Sequence, residues 1–469
     1  MDIQQIQDIY KQNGSCKKEI ENHYNTLHNT NNKSYITLSA YENIIHDATI
    51  AEEHFKNNSA RELEGMCVSL KDLLLVEGQK ATGWSHFLKD YIAPYTATVV
   101  QKLIDAGSII ISKDNCDMFG HGSMNNNTHF SQFRNAIDPH YMAWWSSGGT
   151  AVAVAMWWAN FWIWSDTGWS IRQPAVFNGL VWFKPSYGAV SRYGLMSYAS
   201  SLDTVWPIAH HVKDINTIMN IIGGKDEKDM TSHDYQQLTT LDLESYDIKG
   251  KKIGIYEDFM NYEWLNSDIK NHITEIEELL TQHGAIIYKL PFFPPEVLVA
   301  TYYVIAMAET ASNLSRLTGI NYGNKLWAST FEDVAMKSRE YGFSEETKKR
   351  IIIWNQILST GEASYYYQKA QDIRKAIVDK FEKDFKEIDL ILSPISPDFA
   401  PLADHTEFNN STYLNDMYTV GFSLWKNPTI ALPSLHLAGI QITGAYNNDQ
   451  EVIKFWYAVE QLLAKQHHN

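Results

Sequence analysis

Lys71, Ser146 and Ser170 are the residues of this sequence whose types and spacing could do chemistry together. They lie 75 and then 24 residues apart. Lys71 ends the apolar run Cys67-Val68-Ser69-Leu70. Ser146 opens the cluster Ser146-Ser147-Gly148-Gly149-Thr150, and Ser170 closes Ser165-Asp166-Thr167-Gly168-Trp169-Ser170. No histidine stands in a triad-like context, so the base has to come from elsewhere. A lysine buried at a strand end loses hydration, which favours its neutral, basic form. A serine hydroxyl both donates and accepts, so it can pass a proton along. A second serine relieved of its proton can then attack a carbonyl. Each part also has a plainer reading. Serine–glycine clusters occur in ordinary turns, and a lysine ending a strand commonly snorkels to the surface.

These residues need elements to hold them. An apolar run between the two clusters is long enough for one buried helix and a short strand. Thr98 to Ala106 has helical period, closes at Gly107 and leads into a strand at Ser108 to Ser112. Further strands are expected at Lys251, at Ala285 to Tyr288, at Asp389 to Leu392 and at Ile440 to Thr443. A helix is expected over Asn266 to Gly284, mainly helix over 296–386, and a C-terminal helix from about 449. Alternating helices and buried strands predict an α/β fold with a covered sheet. Residues 1–60 read as a polar N-terminal helical arm, and residues 61–469 as one catalytic domain.

Composition narrows the function. Of the 469 residues, 44% are hydrophobic and 20% charged, as in a soluble globular chain. The net charge of −16 argues against a broad basic face gripping nucleic acid. The opening MDIQQIQDIYKQNG has neither the basic nor the apolar region of a secretory signal. The most apolar window, around Met156 to Ile163, is too short to span a bilayer. Cys16, Cys67 and Cys116 are widely spaced, which predicts free thiols in a reducing cytoplasm and no zinc site. His121 and His129 flank the polar loop Gly120 to Thr128. Without a carboxylate or Cys partner at ligand spacing, they read as solvent or loop histidines.

The stretches GMCVSLKD, SSGG and SDTGWSIRQPA, followed by GLVWFKPSYG, resemble the amidase signature family. The resemblance implies that family's α/β fold, a large mixed β-sheet covered by helices on both faces. It implies Lys71 as base, Ser146 as a bridging serine in a cis peptide, and Ser170 as nucleophile. Backbone N–H groups of Thr167, Gly168 and Trp169 would line an oxyanion hole. Within the family, VSRYGLMSYASSLDTVWPIA, YYVIAMAETASNLSRLTGINYG, GFSEETKKRIIIWNQILSTG and YLNDMYTV are similar to the glutamine-hydrolysing subunits of tRNA-dependent amidotransferases. That likeness implies Arg350 on the glutamine α-carboxylate and Asp416 on its α-ammonium, with Tyr302 or Tyr303 nearby. A zwitterion does call for one fixed charge of each sign. The plainer reading of Arg350 is a solvated helix cation beside Lys348 and Lys349. The likeness further implies companion B and C subunits and no cofactor in this chain. The B subunit would use ATP and Mg and bring Glu-tRNA(Gln). The alternatives are a stand-alone amidase and a non-catalytic scaffold.

Tryptophan departs from the family pattern in one direction. Trp144, Trp145, Trp164, Trp169, Trp182, Trp206, Trp354, Trp425 and Trp157 stand where the pattern has Gly, whereas Trp158, Trp327 and Trp456 carry no such expectation. The chain has 15 Trp and only 25 Gly, about 5% Gly against a usual ~7%. Drift would not choose one residue type at so many separate glycines. A gene whose UGA codons are read as Gly, translated with UGA as Trp, gives this pattern. The functional chain is therefore expected to carry Gly at most of these positions.

Overall fold

The computed structural model describes residues 1–13, 15–29, 35–121, 134–142, 148–168, 172–359, 363–403 and 415–466. Among them an 11-stranded sheet forms the centre. Its strands are β1 (Tyr35–Leu38), β2 (Cys67–Lys71), β3 (Ile109–Asp114), β4 (Phe161–Asp166), β5 (Val181–Lys184) and β6 (Thr204–Ala209). They continue as β7 (Lys252–Tyr256), β8 (Ile286–Leu290), β9 (Leu390–Pro394), β10 (Thr429–Leu435) and β11 (Ala438–Gly444). The spatial order is β1-β3-β2-β4-β6-β5-β10-β11-β9-β7-β8. Pairing is parallel at β3–β2–β4 and β9–β7–β8 and antiparallel elsewhere, so the sheet is mixed. Successive residues of a strand point to opposite faces. Every residue of β2, β6, β9 and β11 is buried, so both faces are covered.

Two strands depart from the sequence expectation. β1 pairs with β3 in a segment read as helical. β10 is an interior strand between β5 and β11, although it contains Pro433. The pairing shifts register just after that proline, the irregularity a residue without an N–H imposes.

The helix Pro295–Leu314 has the length and apolarity to cross a bilayer. Here it is a core helix. Its buried side chains include Leu298, Tyr302, Tyr303, Ile305 and Ala306. It packs against the helices Glu345–Ser359, Ala363–Asp384 and Met417–Leu424. That bundle brings distant parts of the sequence next to the sheet.

The N-terminal helix Ile3–Asn13 docks on the buried Asp214 of the helix Val212–Ile222, whose first N–H meets Glu460. The Ile3 N–H donates to Asp214 Oδ1 at 2.7 Å, and the Val212 N–H donates to Glu460 Oε1 at 3.2 Å. Burial pushes the Glu460 carboxyl up from 4.5 to about 7. A carboxyl whose pKa is raised on folding favours the fold below its unfolded value, and that contribution is lost as pH rises through the folded value. Glu460→Gln keeps a carbonyl acceptor for Val212 and cannot ionise. It should raise the melting temperature at pH 8 and leave it unchanged at pH 4, as calorimetry would read. A drop at pH 8 would contradict this assignment.

Candidate active site

Lys71 is placed by strand pairing. β2 and β4 are parallel neighbours, with Leu70 opposite Ile163. Both strands end on the same side of the sheet, so Lys71 stands beside the last residues of β4, just ahead of the Thr167-Gly168 turn. Its side chain is 2% exposed, and Nζ donates to the Ser165 carbonyl at 3.1 Å. The same nitrogen lies 4.3 Å from the centroid of the Trp164 ring. Behind the strand lies a buried charge network. Lys113 Nζ and Asp72 Oδ1 are 3.2 Å apart, and both side chains are fully buried. Asp114 accepts from Ser69 and Ser112, yet burial holds its carboxyl up at about 7.

Of the other candidates, Tyr302 meets the turn after β4. Gly168 lies against the ring of Tyr302, and a Cβ built on it would come within 2.5 Å of that ring. No other residue fits there without displacing the tyrosine. One position on, the Tyr303 hydroxyl donates to Asp416 Oδ2 at 2.9 Å. Asp416 is fully buried at the start of the helix Met417–Leu424. Arg350 is 3% exposed, and its Nε donates to Glu346 Oε1 at 2.9 Å, one helical turn away. Lys349, its neighbour, is exposed. Arg350 is therefore not the solvated cation that its sequence context also allowed. Burial raises the Tyr303 hydroxyl well above its ordinary pKa; Asp416 adds to the shift and Arg350 opposes it. One buried neighbourhood thus holds a guanidinium, a carboxylate and two tyrosines beside the turn.

Ser146, Ser170 and Trp169 lie outside the described residues, as do Trp144, Trp145 and His129. His121 corrects the sequence reading. It is fully buried, its ring centroid lies 4.8 Å from that of Tyr198, and its pKa is held well down by burial and then by Arg350. Its ring packs beside Tyr198 and Thr347. Sequence reasoning also missed Asp203, whose carboxylate is 2.5 Å from the Thr167 hydroxyl. The available signal was SSLD just ahead of the apolar run at Thr204, a serine-rich turn ending in an acid. Among the described residues no group of three or more His, Cys, Asp or Glu could hold a metal ion. All three cysteines are free and buried.

The tryptophans sit in varied surroundings. Trp164 does find a buried pocket, as do Trp162, Trp182 and Trp206, all within the sheet. Yet the indole N–H of each of these four has no hydrogen-bond partner among the described residues. A buried indole usually finds one. Trp157 and Trp84 adopt φ of +56°, a left-handed backbone that bulky side chains rarely enter and Gly enters freely. Trp157 is also 40% exposed, stacked on His210. Trp84 carries no mark in the sequence; its backbone angle is the signal.

A family model described as Amidase matches residues 20–453. This chain belongs to the amidase family. The amidase is 36% identical over 438 residues to the A subunit of glutamyl-tRNA(Gln) amidotransferase from Fusobacterium nucleatum, covering 92% of this chain and 90% of the relative. It is 39% identical over 422 residues to the protein of the same name from Thermoanaerobacter pseudethanolicus, covering 88% and 85%. The crystal structure of the A subunit of glutamyl-tRNA(Gln) amidotransferase from Thermotoga maritima superposes with a TM-score of 0.78 at 29% identity, covering 97% of this chain and 93% of that one. The mixed sheet covered by helices is thus the family's fold.

Proposed function

We propose that this amidase is the glutamine-hydrolysing A subunit of a tRNA-dependent amidotransferase. The supporting observation is the charge pair beside the Gly168 turn. Arg350 and Asp416 are both buried, carry opposite charge, and act on the same tyrosine. A zwitterionic amino acid carries one charge of each sign, the combination that a guanidinium and a carboxylate recognise together. Identity with relatives that bear this subunit's name supports the same reading.

In the proposed mechanism, glutamine lies with its α-carboxylate toward Arg350 and its α-ammonium toward Asp416. Its side-chain carboxamide reaches the turn after β4. The Ser170 hydroxyl attacks the carboxamide carbon while its proton passes through Ser146 to Lys71. Backbone N–H groups of Thr167, Gly168 and Trp169 hold the developing oxyanion. The relay returns the proton to the leaving nitrogen, and ammonia departs. Water then cleaves the γ-glutamyl ester, giving glutamate and restoring Ser170. A companion B subunit would spend ATP, with Mg, on activating Glu-tRNA(Gln) and accept the ammonia. A small C subunit would join the two, and the assembly would work in the cytoplasm.

Arg350→Ala tests the reading. It removes binding common to ground and transition states, so KM for glutamine should rise with kcat nearly unchanged. Hydrogen bonds to charged groups contribute about 1.5–3 kcal/mol, which corresponds to a rise of roughly 10- to 100-fold. Steady-state glutamate release by the chain co-expressed with B and C subunits reads it. An unchanged KM would remove Arg350 from the site. Failure of the chain to co-purify with two further subunits would favour a stand-alone amidase.

A further inference from the structure

The carboxylate of Asp203 is 2% exposed and takes donors from two separate segments. Thr167 Oγ1 donates to Oδ1 at 2.5 Å, from the turn that follows β4. Ser197 Oγ donates to Oδ2 at 2.7 Å, the Tyr198 N–H to Oδ2 at 2.9 Å, and the Ala199 N–H to both oxygens at 3.1 Å. β4 and β6 bring these groups together, since their antiparallel register sets Asp166 opposite Thr204. Asp203 thus precedes β6 at the level where Thr167 leaves β4. The 197–201 turn is tied in its own right to the helix Pro295–Leu314. Thr310 Oγ1 and Asn313 Nδ2 donate to the Tyr198 carbonyl at 3.1 and 3.2 Å, and the Ser201 N–H donates to Glu309 Oε2 at 2.8 Å. That helix carries Tyr302 and Tyr303.

We infer that Asp203 is a positioning residue: through Thr167 it fixes the oxyanion turn against the helix that bears the substrate-side tyrosines. The inference rests on the glutaminase reading and goes beyond it. Oδ1 takes the Thr167 hydroxyl of the turn together with the Ala199 N–H, and Oδ2 takes the Ser197 hydroxyl and the Tyr198 and Ala199 N–H groups, so one carboxylate joins the two segments. The acid therefore sets the distance between where substrate is held and where charge develops. Oxyanion stabilisation depends on donors fixed in advance, and a displacement of about 1 Å costs on the order of 10²-fold. Asn is the informative replacement. It keeps size and one acceptor oxygen, but its NH2 only donates, so Asn cannot accept from the Thr167 hydroxyl and from the 198–199 N–H groups together.

The experiment measures kcat and KM for glutamine in the complex co-expressed with B and C subunits. The variants are Asp203→Asn, Thr167→Val and the double. Asp203→Asn should lower kcat on the order of 10²-fold with KM within about twofold. Thr167→Val should lower kcat in the same way, and the double should fall no further than Asp203→Asn alone, because one contact is being broken twice. A general loosening of the fold would instead move KM and multiply the two losses, and would overturn the inference. So would a kcat for Asp203→Asn within about threefold of the unmodified chain. Should Asp203→Asn fail to fold, Thr167→Val decides alone: a lower kcat at constant KM supports the inference, and an unchanged kcat overturns it. An unmodified complex that releases no glutamate overturns the glutaminase reading and this inference with it. An active complex with unaffected variants overturns this inference only.

Discussion

Ser170→Ala should abolish glutamine hydrolysis, because the proposed mechanism offers no other group to form the acyl-enzyme. Losing a nucleophile of this kind costs on the order of 10⁶-fold in kcat. Lys71→Ala should cost less, about 10²–10⁴-fold, the usual contribution of a positioned general base. The ranking follows from the roles: the serine forms a bond and the lysine only moves a proton. Glutamate release measured by coupled assay reads both. Normal turnover in Ser170→Ala would sink the mechanism outright. A Lys71→Ala variant of normal kcat would return Lys71 to the structural role its strand-end position also allows.

The second large effect concerns the chain's own composition. Peptide mass spectrometry of the protein from its native source should find Gly at Trp84, Trp157, Trp164 and Trp169. At Trp84 and Trp157 the backbone already has the left-handed φ that Gly adopts without strain. At Trp164 the indole lies over Lys71. A ring face attracts an ammonium, which favours the charged lysine where the mechanism needs a neutral one. At Trp169 a bulky side chain would stand next to the proposed nucleophile. Reading all 15 Trp as Gly would give 40 Gly, about 9%, near the ordinary ~7%. A native peptide retaining Trp169 would end this account and favour the non-catalytic scaffold over the stand-alone amidase.

The strands that carry the candidate site could be read in the sequence because each is a local apolar run with a polar end. Cys67 to Lys71 is an apolar strand followed by a charge. Phe161 to Gly168 is another, followed by a polar turn. Their pattern needs no knowledge of what they pair with. β1 was hidden because four residues, Tyr35–Leu38, carry too short a pattern inside a polar segment. β10 was hidden by Pro433, which normally argues against an interior strand. His121 looked like a loop residue because its burial depends on Tyr198 and on the helix Glu345–Ser359, both remote in sequence. Asp203 was missed for the same reason. Its meaning lies in the β4–β6 register that sets it beside Thr167, and no local pattern encodes that pairing.

The claim that Ser170 is the nucleophile of a glutamine-hydrolysing site has one direct test. The complex is mixed with glutamine, quenched in acid within a turnover, digested and mapped by mass spectrometry. The account predicts a γ-glutamyl group esterified to the peptide that contains Ser170, and its absence from the Ser170→Ala variant. Glutamate formation with the adduct on another residue would contradict it.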